Sequence, residues 1–180
     1  MPANLDLKAW ARWWCRPWEQ AHPACLERMC TGRPWLLQAL DGGNSPALCS
    51  ALGIAPSSPP AADPALLGWL MLSTAGRARA LGLAAFCLGE YSEIELADDD
   101  RRWAADLAKA LQPHRWATGE HVSAAALLLA WWAPSGRSRG CLLLPQPPAD
   151  AEPWAARKLE VFWGSLLWRA VQREVTDAGT

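Results

Sequence analysis

Three histidines and six cysteines carry the widest chemical repertoire in this 180-residue chain. A metal centre would draw on His22, Cys25 and Cys30, with Cys15 as a fourth ligand. Their spacing is His-x2-Cys-x4-Cys, whereas zinc sites use Cys-x2-Cys or a tight His pair, because close ligands must converge tetrahedrally. No Cys-x2-Cys occurs, so the spacing favours buried free thiols. Cys87, inside Ala-Phe-Cys-Leu, and Cys141, ahead of three leucines, read as small core hydrophobes.

A nucleophilic Cys or Ser would need His22, His114 or His121 as its base. No Gly-x-Ser-x-Gly and no His-Glu-x-x-His is present. Glu120-His121 is expected in the first turn of a helix and His114 after a helix-ending proline, both as surface or capping groups. Gly42-Gly43 and Gly136 to Gly140 lack the glycine pattern that lets backbone N–H groups approach phosphate. These motifs predict no catalytic residue, no metal ligand, no cofactor and no small-molecule substrate.

Charge is balanced overall and uneven locally. The net formal charge is −1, too neutral for a nucleic-acid binder that works by neutralising phosphates. Glu90 to Asp106 holds seven acids and two bases, while Arg137, Arg139, Arg157, Lys158, Arg169 and Arg173 make the C-terminal third basic. Asp98, Asp99 and Asp100 can complement the positive end of a helix dipole or meet a basic partner. Arg137 and Arg139 are the matching basic candidates.

Tryptophan is the strongest compositional feature. There are 13 Trp beside 1 Tyr and 2 Phe, and 34 Ala and 27 Leu beside only 4 Val and 2 Ile. Six β-branched aliphatics cannot furnish a large sheet core, so the chain is expected to be mainly α: a compact multi-helix domain of about seven to nine helices. Trp10, Trp13, Trp14 and Trp18 cannot share one narrow face of a short helix. Trp10, Trp13 and Trp14, with Trp168 on the last helix, are therefore candidate partner anchors; core filling is the alternative.

Proline and glycine place the elements that carry these residues. Helices are expected over about Leu5–Arg16, from near His22 to Cys30, from Pro34 to Leu40, and from Ser45-Pro46 to a stop at Gly53. Ala55 to Pro64 reads as an extended or mobile proline-rich linker between a Trp-rich front piece (1–54) and a main helical domain (65–180). Further helices are expected over Pro64–Leu72, Ala75–Leu88 and from Asp98, where Trp103, Leu107 and Leu111 share a face. Another, capped by Thr118, carries the all-apolar segment Ala124–Ala133. Glu90–Ala97 is either a short strand or an extended lead-in. Pro134 to Gly140 reads as a turn or exposed loop, and Cys141–Leu144 as the best strand candidate. The last helix should run from Pro153 or Trp154 to Val175. It carries one stripe of Leu159, Trp163, Leu166 and Ala170, and a second of Val161, Trp168 and Val175, spaced by seven. The longest apolar run, Val122–Ala133, falls short of the roughly 20 residues needed to span a bilayer. With no signal-peptide core among Asp6, Lys8, Arg12 and Arg16, a soluble cytoplasmic protein is expected.

The order of these features resembles the K component of the bacterial type III secretion sorting platform, the SctK family (YscK/PscK-like). Trp13-Trp14-Cys15-Arg16-Pro17-Trp18 through His22 is similar to that family's N-terminal aromatic-Cys/Asn-x-Pro region leading to a His. Leu66–Leu88, with Arg77, Arg79 and Leu81-Gly82-Leu83, resembles its Leu-rich central helices, and Trp103–Trp116 the helix ending before a Pro/Trp element. Ser123 to Pro134, Arg139-Gly-Cys-Leu-Leu-Leu-Pro and Glu152-Pro153-Trp154 resemble its apolar helix, short Leu run and Pro-Trp start of the last helix. The resemblance covers most of the chain. It implies a non-enzymatic cytoplasmic adaptor beneath the inner-membrane face of the injectisome. There it would link the cytoplasmic domain of the inner-membrane ring D protein to the Q protein of the sorting-platform pod, without inserting into the membrane. It transfers no residue-level binding site. Two alternatives stand beside it: a small helical metal-binding regulator or enzyme using His22, Cys25 and Cys30, and a type III secretion chaperone.

Overall fold

The computed structural model describes residues 7–41, 45–55, 57–148 and 154–178. Ten α-helices lie among them: α1 (Leu7–Cys15), α2 (Pro23–Cys30), α3 (Pro34–Asp41), α4 (Ser45–Ala51), α5 (Pro64–Leu70), α6 (Thr74–Leu88), α7 (Asp98–Leu111), α8 (Ala124–Trp131), α9 (Pro134–Gly140) and α10 (Ala156–Ala178). Single 3-10 turns occupy Pro17–Gln20, Pro113–Arg115 and Cys141–Leu143. No strand occurs among the described residues, as a chain poor in Val and Ile requires. Two expectations change here. Cys141–Leu144 is not a strand: Cys141–Leu143 forms a 3-10 turn that Leu144 ends, because four apolar residues beside a glycine fit either form until their neighbours are known. Pro134 to Gly140 is helical and not a loop. Gly42-Gly43, which follow the Pro34 helix in sequence, and the expected start of the last helix at Pro153 lie outside the described residues.

The chain forms two units. The first comprises the described residues up to Asp63 together with Pro134–Pro147, so the α9 segment groups with the front of the chain and not with the residues flanking it. The second comprises Pro64–Ala133 and the described residues from Pro148 onward.

Indole packing organises the first unit. Trp10, Trp13 and Trp14 of α1 are buried, with ring centroids 5.5–6.3 Å apart. The proline-rich segment after α4 supplies the acceptors that buried indoles need. Trp10 donates to the Pro60 carbonyl and Trp14 to the Ser57 carbonyl, both at 3.1 Å. These two bonds tie residues 57 and 60 of the segment to α1. α2 starts at Pro23, with the His22 side chain as its N-cap: Nδ1 accepts from Ala24 N at 3.2 Å. The turn at 141–143 joins the same unit through His22 N, which donates to Leu142 O at 2.7 Å. Trp18, Leu36 and Leu48 form one small core, and Cys25, Ile54 and Leu142 another.

In the second unit α6 packs on α7, α8 and α10. Ser73 caps α6 by accepting from Gly76 N, and Gly89, at φ 73°, ends it in the left-handed conformation that glycine adopts without strain. Arg77 donates to the carbonyls of Trp69 and Leu70, satisfying the last turn of α5. Ser123, not Thr118, caps α8: its side chain accepts from Ala126 N. Residues 118–122 stay outside any helix. Glu120 and His121 are exposed there. Around α8 and α10, Trp69 meets Trp132 and Trp163 edge-to-face at 6.1 Å, and Trp131 stacks on Trp163. The scarce Phe and Ile are replaced here by indoles.

Candidate functional site

α10 has two faces with opposite fates. Leu159, Phe162, Trp163, Leu166 and Ala170 are buried, which accounts for the first stripe. Val161, Trp168, Val171 and Val175 are exposed, Trp168 at 57% and Val175 at 67%. Their spacing of seven, three and four follows the a/d positions of a heptad, and Gly164 occupies the intervening d position. Over this length the helix runs for roughly 21 Å. No Asp, Glu, Lys or Arg occupies the outward positions Val161, Gly164, Ser165, Trp168, Val171, Gln172 and Val175. An unpaired seam of this kind is the pattern by which one helix receives another.

α7 widens the seam into a groove. Trp103 and Leu107 of α7 line it together with Glu160, Val161, Gly164, Ser165 and Trp168 of α10, around an open volume of about 560 Å³; Glu160 is its one charged lining residue and accepts from Trp131 Nε1 at 3.1 Å. A Cβ added at Gly164 would meet no atom within 4 Å, so the groove floor is open at that point.

An ionic clamp fixes the two walls. Arg169 donates to Asp100 at 2.8 Å and to Asp99 at 3.1 Å, and Arg173 bonds the same two carboxylates, reaching Asp100 at 3.3 Å. The Arg169 guanidinium also lies 5.7 Å from the Trp103 ring centroid. Asp100 is buried; at Asp99, burial raises the carboxyl pKa, Arg173 and Arg169 lower it, and the net shift is down. The run Asp98–Asp100 therefore divides. Asp98 and Asp99 are exposed and Asp100 is buried; Asp99 and Asp100 are both paired with Arg169 and Arg173.

The other candidates move in a similar way. Trp10, Trp13 and Trp14 are buried packing residues, with relative exposures of 1–3%, and offer no free face to a partner. The proline-rich segment accepts the N–H groups of Trp10 and Trp14, while Trp13 Nε1 is buried without a hydrogen-bond partner. Arg139 is also buried. It donates to the carbonyls of Trp14 and Ala55 and to Ser57 Oγ, and its guanidinium lies 4.0 Å from the Trp14 ring centroid. Arg137 is half-buried on α9. Of the tryptophan candidates, Trp168 alone is exposed as an anchor must be. Val171 completes the seam; the sequence signal for it was the heptad that Val161, Trp168 and Val175 already marked.

The His/Cys group does not assemble. Among the described residues no three His, Cys, Asp or Glu side chains are placed to hold a metal ion. His22 Nδ1 is engaged as a cap, Cys25 Sγ lies 3.6 Å from Met29 Sδ, and Cys15 is exposed. Burial raises the Cys25 and Cys141 thiols and pushes Cys87 up to about 12, which keeps them protonated at neutral pH. No described helix is long and apolar enough to cross a membrane.

No protein-family model matches the chain, and no curated protein and no solved structure matches it.

Proposed function

We propose that this protein is a non-catalytic adaptor of a bacterial type III secretion machine, working in the cytoplasm against the inner-membrane face of the apparatus. It joins the cytoplasmic domain of the inner-membrane ring D protein to the Q protein of the sorting-platform pod. The order of sequence features that resembles the SctK family supplies the identity of the machine and of the partners. The observation that carries an adaptor role is the exposed seam Val161–Trp168–Val171–Val175 beside the α7–α10 groove. Four apolar side chains in register are stabilised by covering them, each by less than the roughly 1.5–3 kcal/mol of a full transfer because each is already partly buried. The test is affinity recovery of the tagged full chain from a type III-competent cell. The D and Q proteins should be recovered together with it; recovery of neither would end this reading.

A further inference from the structure

A second surface lies at the connection from α6 to α7, and it shares no residue with the α10 seam. After Gly89 the backbone turns back, Glu90 N donating to Ala85 O at 2.9 Å, and Ile94 and Leu96 come to lie against Gly82 of α6. Gly82 makes this possible: a Cβ there would stand 3.1 Å from the Ile94 side chain. The connection and α6 enclose a pocket of about 220 Å³ lined by Gly82, Phe86, Glu90, Tyr91, Ile94 and Arg101, among others. Phe86, Tyr91 and Ile94 are all exposed at its mouth, Tyr91 at 89%.

The volume and the charge narrow the occupant. Cofactor and drug-sized sites run to about 300–1,000 Å³, so this pocket takes one large side chain and not a cofactor. Glu90 and Arg101 are the charged residues of its lining. Glu93 and Glu95, the sequence neighbours of Ile94, and Asp98 are exposed on the same connection. Glu90 Oε2 accepts from Ala124 N at 3.0 Å, leaving Oε1 without a partner among the described residues. On the basic side, Arg101 is turned onto the Leu96 carbonyl at 2.9 Å and Arg102 onto the Asp98 carbonyl at 3.4 Å. Asp99 and Asp100 are already neutralised by Arg169 and Arg173. On the connection and the start of α7, four carboxylates thus remain against two guanidiniums, next to a largely apolar socket.

We propose that this socket docks a basic peptide segment of a partner protein: one aromatic or aliphatic side chain enters between Phe86, Tyr91 and Ile94, and flanking Lys or Arg residues meet Glu90, Glu93 and Glu95. The apolar anchor gives affinity and the neighbouring carboxylates give charge selection. A short random-peptide display library panned against the full chain tests this. Recovered peptides should carry Lys or Arg on both sides of an aromatic or aliphatic residue. They should bind the variant Glu93→Lys/Glu95→Lys, and separately Tyr91→Ser, at least about tenfold more weakly than the wild type. All three positions are exposed, so the thermal melts of the variants should match the wild type. Absence of enrichment, recovered peptides without basic bias, or peptides whose binding ignores these substitutions because they sit on another face would each overturn the proposal. None of these results bears on the α10 seam.

Discussion

Arg139 lays its guanidinium 4.0 Å from the Trp14 ring centroid and, through Nε, donates to the Trp14 carbonyl at 3.0 Å. The same side chain reaches Ala55 O at 3.0 Å and Ser57 Oγ at 3.4 Å. One buried cation thus ties α1, the proline-rich segment and α9 together through backbone acceptors. Arg139→Ala should destabilise the first unit by about 2–4 kcal/mol, because buried carbonyls lose their donor along with the ring contact. Arg139→Lys should recover less than half of that, since an ammonium lacks the planar fork. Urea midpoints of the three proteins check both statements.

His22 caps α2 in its neutral form. Burial, and then the charge of Arg28, hold its pKa below the ordinary value of 6.5. As pH falls from that value, the unfolded chain takes up the proton first, so stability declines down to the folded-state pKa and then levels off. His22→Asn keeps a capping side chain and removes the titration. The loss of stability between about pH 7 and pH 5, read from urea midpoints, should be smaller in the variant than in the wild type.

Glu174 of α10 completes the α6 N-terminus, accepting from Ser73 N at 2.9 Å and from Ser73 Oγ. A Cβ at Gly76 would fall 2.8 Å from Glu174 Cδ and displace that carboxylate. Glu174→Ala and Gly76→Ala should therefore each cost about 1 kcal/mol. The double variant should cost little more than either alone, a non-additivity that a double-mutant cycle measures.

Gly164 lies in the middle of α10, where glycine is less favourable than alanine by about 0.5–1 kcal/mol, and a methyl group there meets only open space. Gly164→Ala should raise the melting temperature of the isolated protein. A lower melting temperature would mean that the groove floor is not open.

Local grammar made most of the helices legible. Pro34 and Pro64 start α3 and α5, Gly89 stops α6, and the aspartates open α7 where expected. Both stripes of α10 were also visible, because 3.6-residue periodicity needs no knowledge of neighbours. α9 was not. Pro-Ser-Gly-Arg-Ser-Arg-Gly has poor helix propensity, and the ties of Arg139 to Trp14 and Ala55 span 125 and 84 residues. The same long-range contact explains why Trp10, Trp13 and Trp14 read equally well as anchors or core from sequence. Residues 141–144 and 90–97 were too short for periodicity to decide their form. The acidic run hinted at the socket, but the approach of Ile94 to Gly82 is a tertiary fact.

The most direct test of the adaptor account is calorimetric binding of the purified full chain, wild type and Trp168→Asp, to the purified D cytoplasmic domain and Q protein. Trp168 is exposed, so the variant should melt with the wild type. The account predicts that the wild type binds both proteins and that Trp168→Asp weakens at least one of them by about tenfold or more. Equal binding by the two chains, or no binding of either protein by the wild type, would contradict it.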